Sequence, residues 1–164
     1  MVILTANEID NCCLDIIQFI DDNYNMYSSH IRFMYLYGCR IGELFDNRIS
    51  FNGNTSTVYI VAQKGNYVRE NNLVNNLVPA LIENINLTQD NFWINKRNLQ
   101  RIIEKASPYR VLYCGNKRIG AHLFRHNWVK KQVASGKQIN SIDRELGYTI
   151  QSIIDTYLPS VIYY

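Results

Sequence analysis

Cysteine is scarce in this 164-residue chain and wrongly spaced for metal or redox work. Cys12, Cys13, Cys39 and Cys114 form no Cys-x-x-Cys pair, and His30, His122 and His126 do not complete a ligand pattern with them. Cys12 and Cys13 fall within an apolar helical stripe, which points to buried free thiols and a reducing, intracellular compartment. No run of about 18 apolar residues is present to span a bilayer. The N-terminus has no basic segment followed by an apolar run, so no secretory signal is expected. Internal repeats and a flexible linker are also missing. What is left is one domain, 47% hydrophobic and 19% charged, with the composition of an ordinary globule and enough chain to bury roughly 70% of its unfolded surface.

Acidic residues are few in one half only. Residues 1–95 hold five Lys/Arg against ten Asp/Glu, a balance of −5, whereas residues 96–164 hold twelve against four, a balance of +8. A basic half on a folded domain is a solvated face or a surface for a polyanion, most often nucleic acid.

Thr5 and Glu8 have capping-box spacing, and Ile9, Cys12, Cys13, Ile16, Ile17 and Ile20 follow with helical period. A second helix is expected from Ser28 or Ser29 to Gly38, with a further turn from Ile41 to Phe45. Residues 55–61 are rich in β-formers, Gln63-Lys64-Gly65-Asn66 reads as a turn, and Tyr67 to Leu73 as the returning strand, so Lys64 falls at or beside a hairpin tip. Residues 71–76 read as loop. Helices are expected over 78–85, 98–106, 122–134, 139–146 (closed by Gly147) and 150–157, with 107–120 irregular. The resulting class is mainly α with one small antiparallel sheet, an α+β domain.

Several residues in this frame are suited to phosphodiester chemistry. Arg40 and Arg125 could grip phosphate oxygens bidentately, Lys64 could protonate a leaving oxygen, and the Tyr157 hydroxyl could attack phosphorus. Taken singly, each has a plainer reading. Gly38-x-Arg40-x-x-Glu43-Leu44 is also what a helix junction with an Arg–Glu pair looks like. Lys64 at a turn is a solvated lysine, His122 and Arg125 one helical turn apart are a surface or capping pair, and Tyr157 is one of twelve tyrosines.

Order and spacing together resemble the catalytic domain of the tyrosine recombinase (phage integrase) family, over nearly the whole chain. Leu4-Thr-Ala-Asn-Glu8 looks like that domain's start. Tyr37-Gly-Cys-Arg-Ile-Gly-Glu-Leu44 resembles the first-arginine motif, with Arg40 as catalytic arginine and Glu43 as its acidic companion. Val61-Ala-Gln-Lys-Gly-Asn66 resembles the hairpin that presents the catalytic lysine, Lys64. Ala121-His-Leu-Phe-Arg-His126 matches the His-x-x-Arg-His box, giving His122, Arg125 and a structural His126. Leu146-Gly147-Tyr148 resembles the Leu-Gly-His segment, with a tyrosine where His or Trp is usual. The nine-residue step beyond it lands on Tyr157 as nucleophile.

The resemblance implies a tyrosine recombinase catalytic-domain fold and DNA cleavage and rejoining through a 3′-phosphotyrosyl intermediate, as in site-specific recombination or integration by a mobile element or virus. It also implies double-stranded DNA as partner, self-assembly into a tetramer on it, and an intracellular location with the DNA. No metal, nucleotide or other cofactor is expected, and no membrane. Residues 1–164 are expected to be a single catalytic domain lacking the family's N-terminal core-binding domain. Lys96, Arg97, Arg101, Lys117, Arg118, Lys130 and Lys131 are candidates for backbone contacts, and Asn98 and Gln100 for base edges. Two other functions fit the same residues: type IB topoisomerase-like relaxation, and DNA binding without catalysis, which the tyrosine at position 148 would favour.

Overall fold

In a computed structural model, which describes residues 1–63, 67–146, 154 and 156–164, helices pack around a shared core with two small antiparallel sheets at its margins. Helix α1 (Ala6–Asn23) begins where its sequence demands. The Thr5 side chain accepts from the Glu8 N–H, and the Glu8 side chain accepts in return from the Thr5 N–H. Its stripe of Ile9, Cys12, Cys13, Ile16 and Ile20 is buried. All four cysteines are free thiols, and burial pushes Cys12 up to about 11 and Cys39 up to about 12.

Helix α2 (Ser28–Tyr37) stops at Gly38, whose φ of 62° closes the helix in the left-handed region. A Cβ at Gly38 would lie 2.6 Å from the Trp128 side chain, so this position needs glycine twice over. A 3₁₀ turn, Ile41–Leu44, follows. Strands β2 (Ile49–Asn52), β3 (Thr57–Val61) and β4 (Val68–Asn72) then form an antiparallel meander. An Ala62 N–H to Tyr67 carbonyl bond of 2.7 Å draws together the chain on either side of the β3–β4 connection, where residues 64–66 lie outside the described residues.

Helix α3 (Val78–Leu87), with proline in its first turn, packs on α2, and α4 (Lys96–Ala106) packs on α1. Asn95 caps α4 by accepting from the Asn98 N–H. Helix α5 (Leu123–Ala134) is buried along its first two turns against α1 and α2. Helix α6 (Ile139–Leu146) packs against α5 and β4.

The sequence reading anticipates one sheet, and the structure has a second. Strands β1 (Val2–Ile3), β5 (Leu112–Cys114), β6 (Lys117–Ile119) and β7 (Val161–Tyr163) join in the order β1-β7-β5-β6. The segment 107–120, expected to be irregular, thus contains a hairpin turning at Gly115–Asn116, with Gly115 at φ 62°. Strand β2 was also unanticipated, while β4 falls within the returning strand expected over 67–73, so that of the segment 71–76 read as loop only Asn71 and Asn72 are strand. The expected last helix over 150–157 falls largely outside the described residues. Ile154, Thr156 and Tyr157 are helical, while Gly147 and Tyr148 are not described.

Two clusters make the core. The larger joins α1 to α4, the β2–β4 sheet and the start of α5. The smaller joins Trp128, Val129, Ile142 and Leu146 with Tyr157, so apolar packing against α5 and α6 holds the tyrosine near the C-terminus in place.

Candidate active site

Glu43 organises the site. It sits in the 3₁₀ turn after Gly38 and is buried, and its two carboxylate oxygens tie three stretches of chain together. Oε1 accepts from the Arg40 backbone N–H at 2.8 Å and from Arg125 Nη2 at 3.2 Å, while Oε2 accepts from the Gln63 N–H at 3.2 Å. One carboxylate therefore joins the turn that carries Arg40, the end of β3 that leads to Lys64, and helix α5. Within the Arg40 turn Glu43 accepts from the Arg40 backbone N–H, and the guanidinium of Arg125 meets it from α5.

Arg125 is locked from a second side, since its Nε donates to the Gly38 carbonyl at 2.7 Å. A third arginine completes this buried group. Arg69 of β4 is fully buried, with Nη2 donating to the Tyr37 carbonyl at 2.8 Å and Nη1 4.0 Å from Glu43 Oε1. Its guanidinium also lies 5.6 Å from the centre of the Trp128 ring. Burial, reinforced by the Arg125 charge and opposed by Glu43, brings Arg69 down to about 10. It thus stays protonated at neutral pH. Two guanidiniums thus face one buried carboxylate. Arg69 was missed in the sequence because a lone arginine alternating into a short strand has no signature. Only the Arg69/Asn71 inward alternation of β4 marks it.

His122, just before α5, meets Tyr157. Nε2 of the imidazole and the phenol oxygen are 3.0 Å apart, and the rings stack with centroids 5.6 Å apart. His126, one turn on, packs edge-on to Tyr157 at 5.0 Å and to His122 at 6.1 Å. Burial first, then the charges of Arg125, His126 and Arg40, bring His122 down to about 3. His126 is brought to about 4, chiefly by burial. His122 is therefore neutral at pH 7. With its proton on Nδ1, its Nε2 lone pair can accept the Tyr157 hydroxyl proton. Tyr157 itself is 1% exposed.

His122 and His126 open onto a cleft of about 840 Å³. Arg40, Ile41 and Gln63 form one wall, and Lys96 and Gln100 of α4 form another. The β5–β6 hairpin contributes Lys117 and Arg118, and Thr156 borders the cleft beside Tyr157. Arg40 therefore faces the cleft, whereas Arg125 is buried and outside the cleft lining. Of the other basic candidates, Arg97 and Arg101 are exposed on α4 but outside the cleft lining. Lys130 is partly buried, and Lys131 is engaged by Asp10 at 2.6 Å and by the Tyr35 hydroxyl. Asn98 turns back to its own loop, donating to the Trp93 carbonyl at 2.9 Å. Lys64 and Tyr148 lie outside the described residues. No cluster of His, Cys, Asp or Glu able to hold a metal occurs among the described residues, and no described helix is long and apolar enough to cross a membrane.

No protein-family profile and no curated protein sequence matches this chain. Its three-dimensional form does find a counterpart among solved structures. The class is an α+β, recombinase-like fold. It is similar to that of a XerA recombinase, with a TM-score of 0.64 and 17% identity, covering 96% of this chain and 60% of that one. The chain thus spans about 60% of the length of the recombinase it resembles.

Proposed function

We propose that this chain is the catalytic domain of a DNA strand-breaking-and-rejoining enzyme of the tyrosine recombinase type, with Tyr157 as nucleophile. The observation that carries the reading is the 3.0 Å contact between Tyr157 and His122, beside a cleft whose walls bear Arg40, Lys96, Lys117 and Arg118. The recombinase-like fold supports it.

A free phenol titrates near about 10, so a tyrosine nucleophile needs positive charge and a route for its proton. In the proposed reaction Arg40 binds the scissile phosphate at the cleft wall, with the buried Arg125 and Arg69 charges beneath it. These charges favour the pentacoordinate transition state as its second negative charge develops. Tyr157 Oη bonds to phosphorus and its proton passes to His122 Nε2. The bond from phosphorus to the 5′ oxygen breaks, and that oxygen takes a proton from Lys64. The products are a 3′-phosphotyrosine and a free 5′-hydroxyl. The phosphoester bond is conserved in the intermediate, so rejoining needs no nucleotide. Tyr148 is assigned a hydrogen bond to a phosphate oxygen, Glu43 the placement of the two arginines, and His126 the packing of the His122–Tyr157 pair. Lys96, Arg97, Arg101, Lys117, Arg118, Lys130 and Lys131 are proposed to contact the DNA backbone. Assembly into a tetramer on DNA belongs to the same proposal.

The test is incubation with negatively supercoiled plasmid carrying candidate target sites, without ATP and with a chelator present. Topoisomers relaxed or recombined by the wild-type chain and untouched by Tyr157→Phe support the reading. Products that join two separate duplexes distinguish recombination from simple relaxation. Duplex binding without any strand breakage would instead favour a DNA-binding protein that has kept the fold and lost the chemistry.

A further inference from the structure

Phe92 and Trp93 are the most exposed aromatic residues of the described chain, 81% and 75% accessible, and they adjoin one another in sequence. Their rings meet edge to face with centroids 5.5 Å apart. Such exposure normally accompanies a slack loop, yet this loop is tightly tied. The Trp93 carbonyl accepts from the Tyr27 hydroxyl at 3.1 Å and from Asn98 Nδ2 at 2.9 Å. The Trp93 N–H donates to Asn91 Oδ1 at 3.0 Å, and Asn95 Nδ2 donates to the Phe92 carbonyl at 3.1 Å. The Asn95 N–H donates in turn to the Tyr27 hydroxyl. The backbone is thus ordered while two large apolar rings remain mostly exposed to water.

The surroundings specify an occupant. Asn95 caps α4, and the next residues are Lys96 and Arg97, both exposed, with Lys96 lining the cleft. Three residues separate Phe92 from Lys96, in a turn closed by the Asn95 Nδ2 bond to the Phe92 carbonyl, so the rings lie within about 14 Å of chain of the first basic residue, a reach comparable to that of one groove. A duplex whose phosphates are held by Lys96 and Arg97 would therefore bring its groove edge against the two rings. Thymine methyls there are apolar, and side chains such as Phe make apolar contact with them. Asp90 is the nearest acidic residue in sequence, and the exposed basic residues Lys96, Arg97 and Arg101 outnumber it.

We propose that Phe92 and Trp93 form an apolar clamp on bound duplex DNA, packing against the groove beside the phosphates held by Lys96 and Arg97. This rests on the reading of the cleft as a DNA site. It adds an uncharged component to binding, whose strength does not follow the salt concentration.

The chain has two tryptophans, Trp93 exposed and Trp128 buried, so intrinsic fluorescence reports on the clamp directly. Labelled duplex is titrated at low salt by anisotropy while acrylamide quenching of tryptophan is followed on the same samples. DNA is expected to shield the exposed tryptophan and lower its quenching constant by about twofold or more. The remaining fluorescence of Trp93→Phe should show no such change. The Phe92→Ser/Trp93→Ser double variant should bind about tenfold more weakly, with its log–log salt slope unchanged, because no charge is removed. Lys96→Ala should lower the slope by about one. If the wild type binds DNA while Trp93 stays fully quenchable and the double variant binds equally well, the clamp is overturned and the DNA site stands. If the wild type instead sediments as a dimer that the double variant abolishes, the rings belong to a second copy of the chain and the clamp is again overturned. Failure of the wild type to bind duplex at any salt removes the DNA reading of the cleft and the clamp with it.

Discussion

His122 is held neutral by its surroundings, which leaves Nε2 able to accept a hydrogen bond from Tyr157 but makes the imidazole a weak base until the negative charge of a bound phosphate raises its basicity. The Arg125, His126 and Arg40 charges add to its burial and bring it to about 3. His30 and His126 are also held neutral by burial, each at about 4. All three therefore titrate below the ordinary histidine value of about 6.5 when folded. In the unfolded chain they bind protons at the ordinary value, so below pH 6.5 the unfolded state takes up more protons. The stability that neutral histidines provide is complete above about 6.5 and is lost as pH falls toward 4 and 3. Denaturant unfolding at pH 7.5, 6 and 5 should show a midpoint that falls steadily across that range. A midpoint that is flat from 7.5 to 5 would mean that the histidines are not held neutral. Glu43 gives a second prediction at this scale. Glu43→Gln keeps the shape but removes the buried carboxylate charge that faces Arg125 and Arg69, at a cost of roughly 3–5 kcal/mol. Arg125→Met in the same background should recover part of that loss. Equal stability of wild type and Glu43→Gln would show that the carboxylate is not what holds the arginines.

The elements differ in how clearly they could be read from sequence, and the reason is the range of the contacts that make them. Helix α1 was legible in full because its cap, its stripe and its buried cysteines are all local features. The β3–β4 hairpin was legible because β-branched residues and a turn segment adjoin. The second sheet was not. Its strands are two or three residues long, and β5 lies between β6, a few residues away, and β7, some fifty residues away. No window of sequence contains that pairing. The site divides in the same way. Arg40, Glu43, His122 and Arg125 could be named from motif spacing, and the structure brings them into one neighbourhood. Arg69, which shares Glu43 with Arg125, could not, because its burial is a product of tertiary packing. The junction between α2 and the Arg40 turn depends on Gly38. Gly38→Ala places a Cβ at positive φ and 2.6 Å from Trp128, so it should destabilise by roughly 2–4 kcal/mol. It should also loosen Arg125, which bonds the Gly38 carbonyl. A melting temperature unchanged from wild type would contradict that role.

For the whole molecule, the imbalance between the −5 and +8 halves is converted into a shaped surface. α4 and the β5–β6 hairpin, both from the basic half, line the cleft opposite the Arg40 turn. Duplex binding by this chain should therefore be weak at physiological salt and strongly salt-dependent. Neutralising about six phosphates gives a log–log slope near −5. Affinity that does not change between low and physiological salt would exclude the cleft as a phosphate-binding surface.

The central claim is that Tyr157 attacks DNA, and the most direct measurement is the identity of the covalent bond. A nicked suicide duplex containing the target site loses a short 5′-hydroxyl fragment on cleavage, which traps the protein on the 3′ end. After denaturation and proteolysis, mass spectrometry should find one nucleotide-bearing peptide, modified at Tyr157 through a 3′ phosphate. Tyr157→Phe should give no adduct and still bind the duplex. An adduct on Tyr148, Tyr163 or Tyr164, or none on a verified target, would contradict the account.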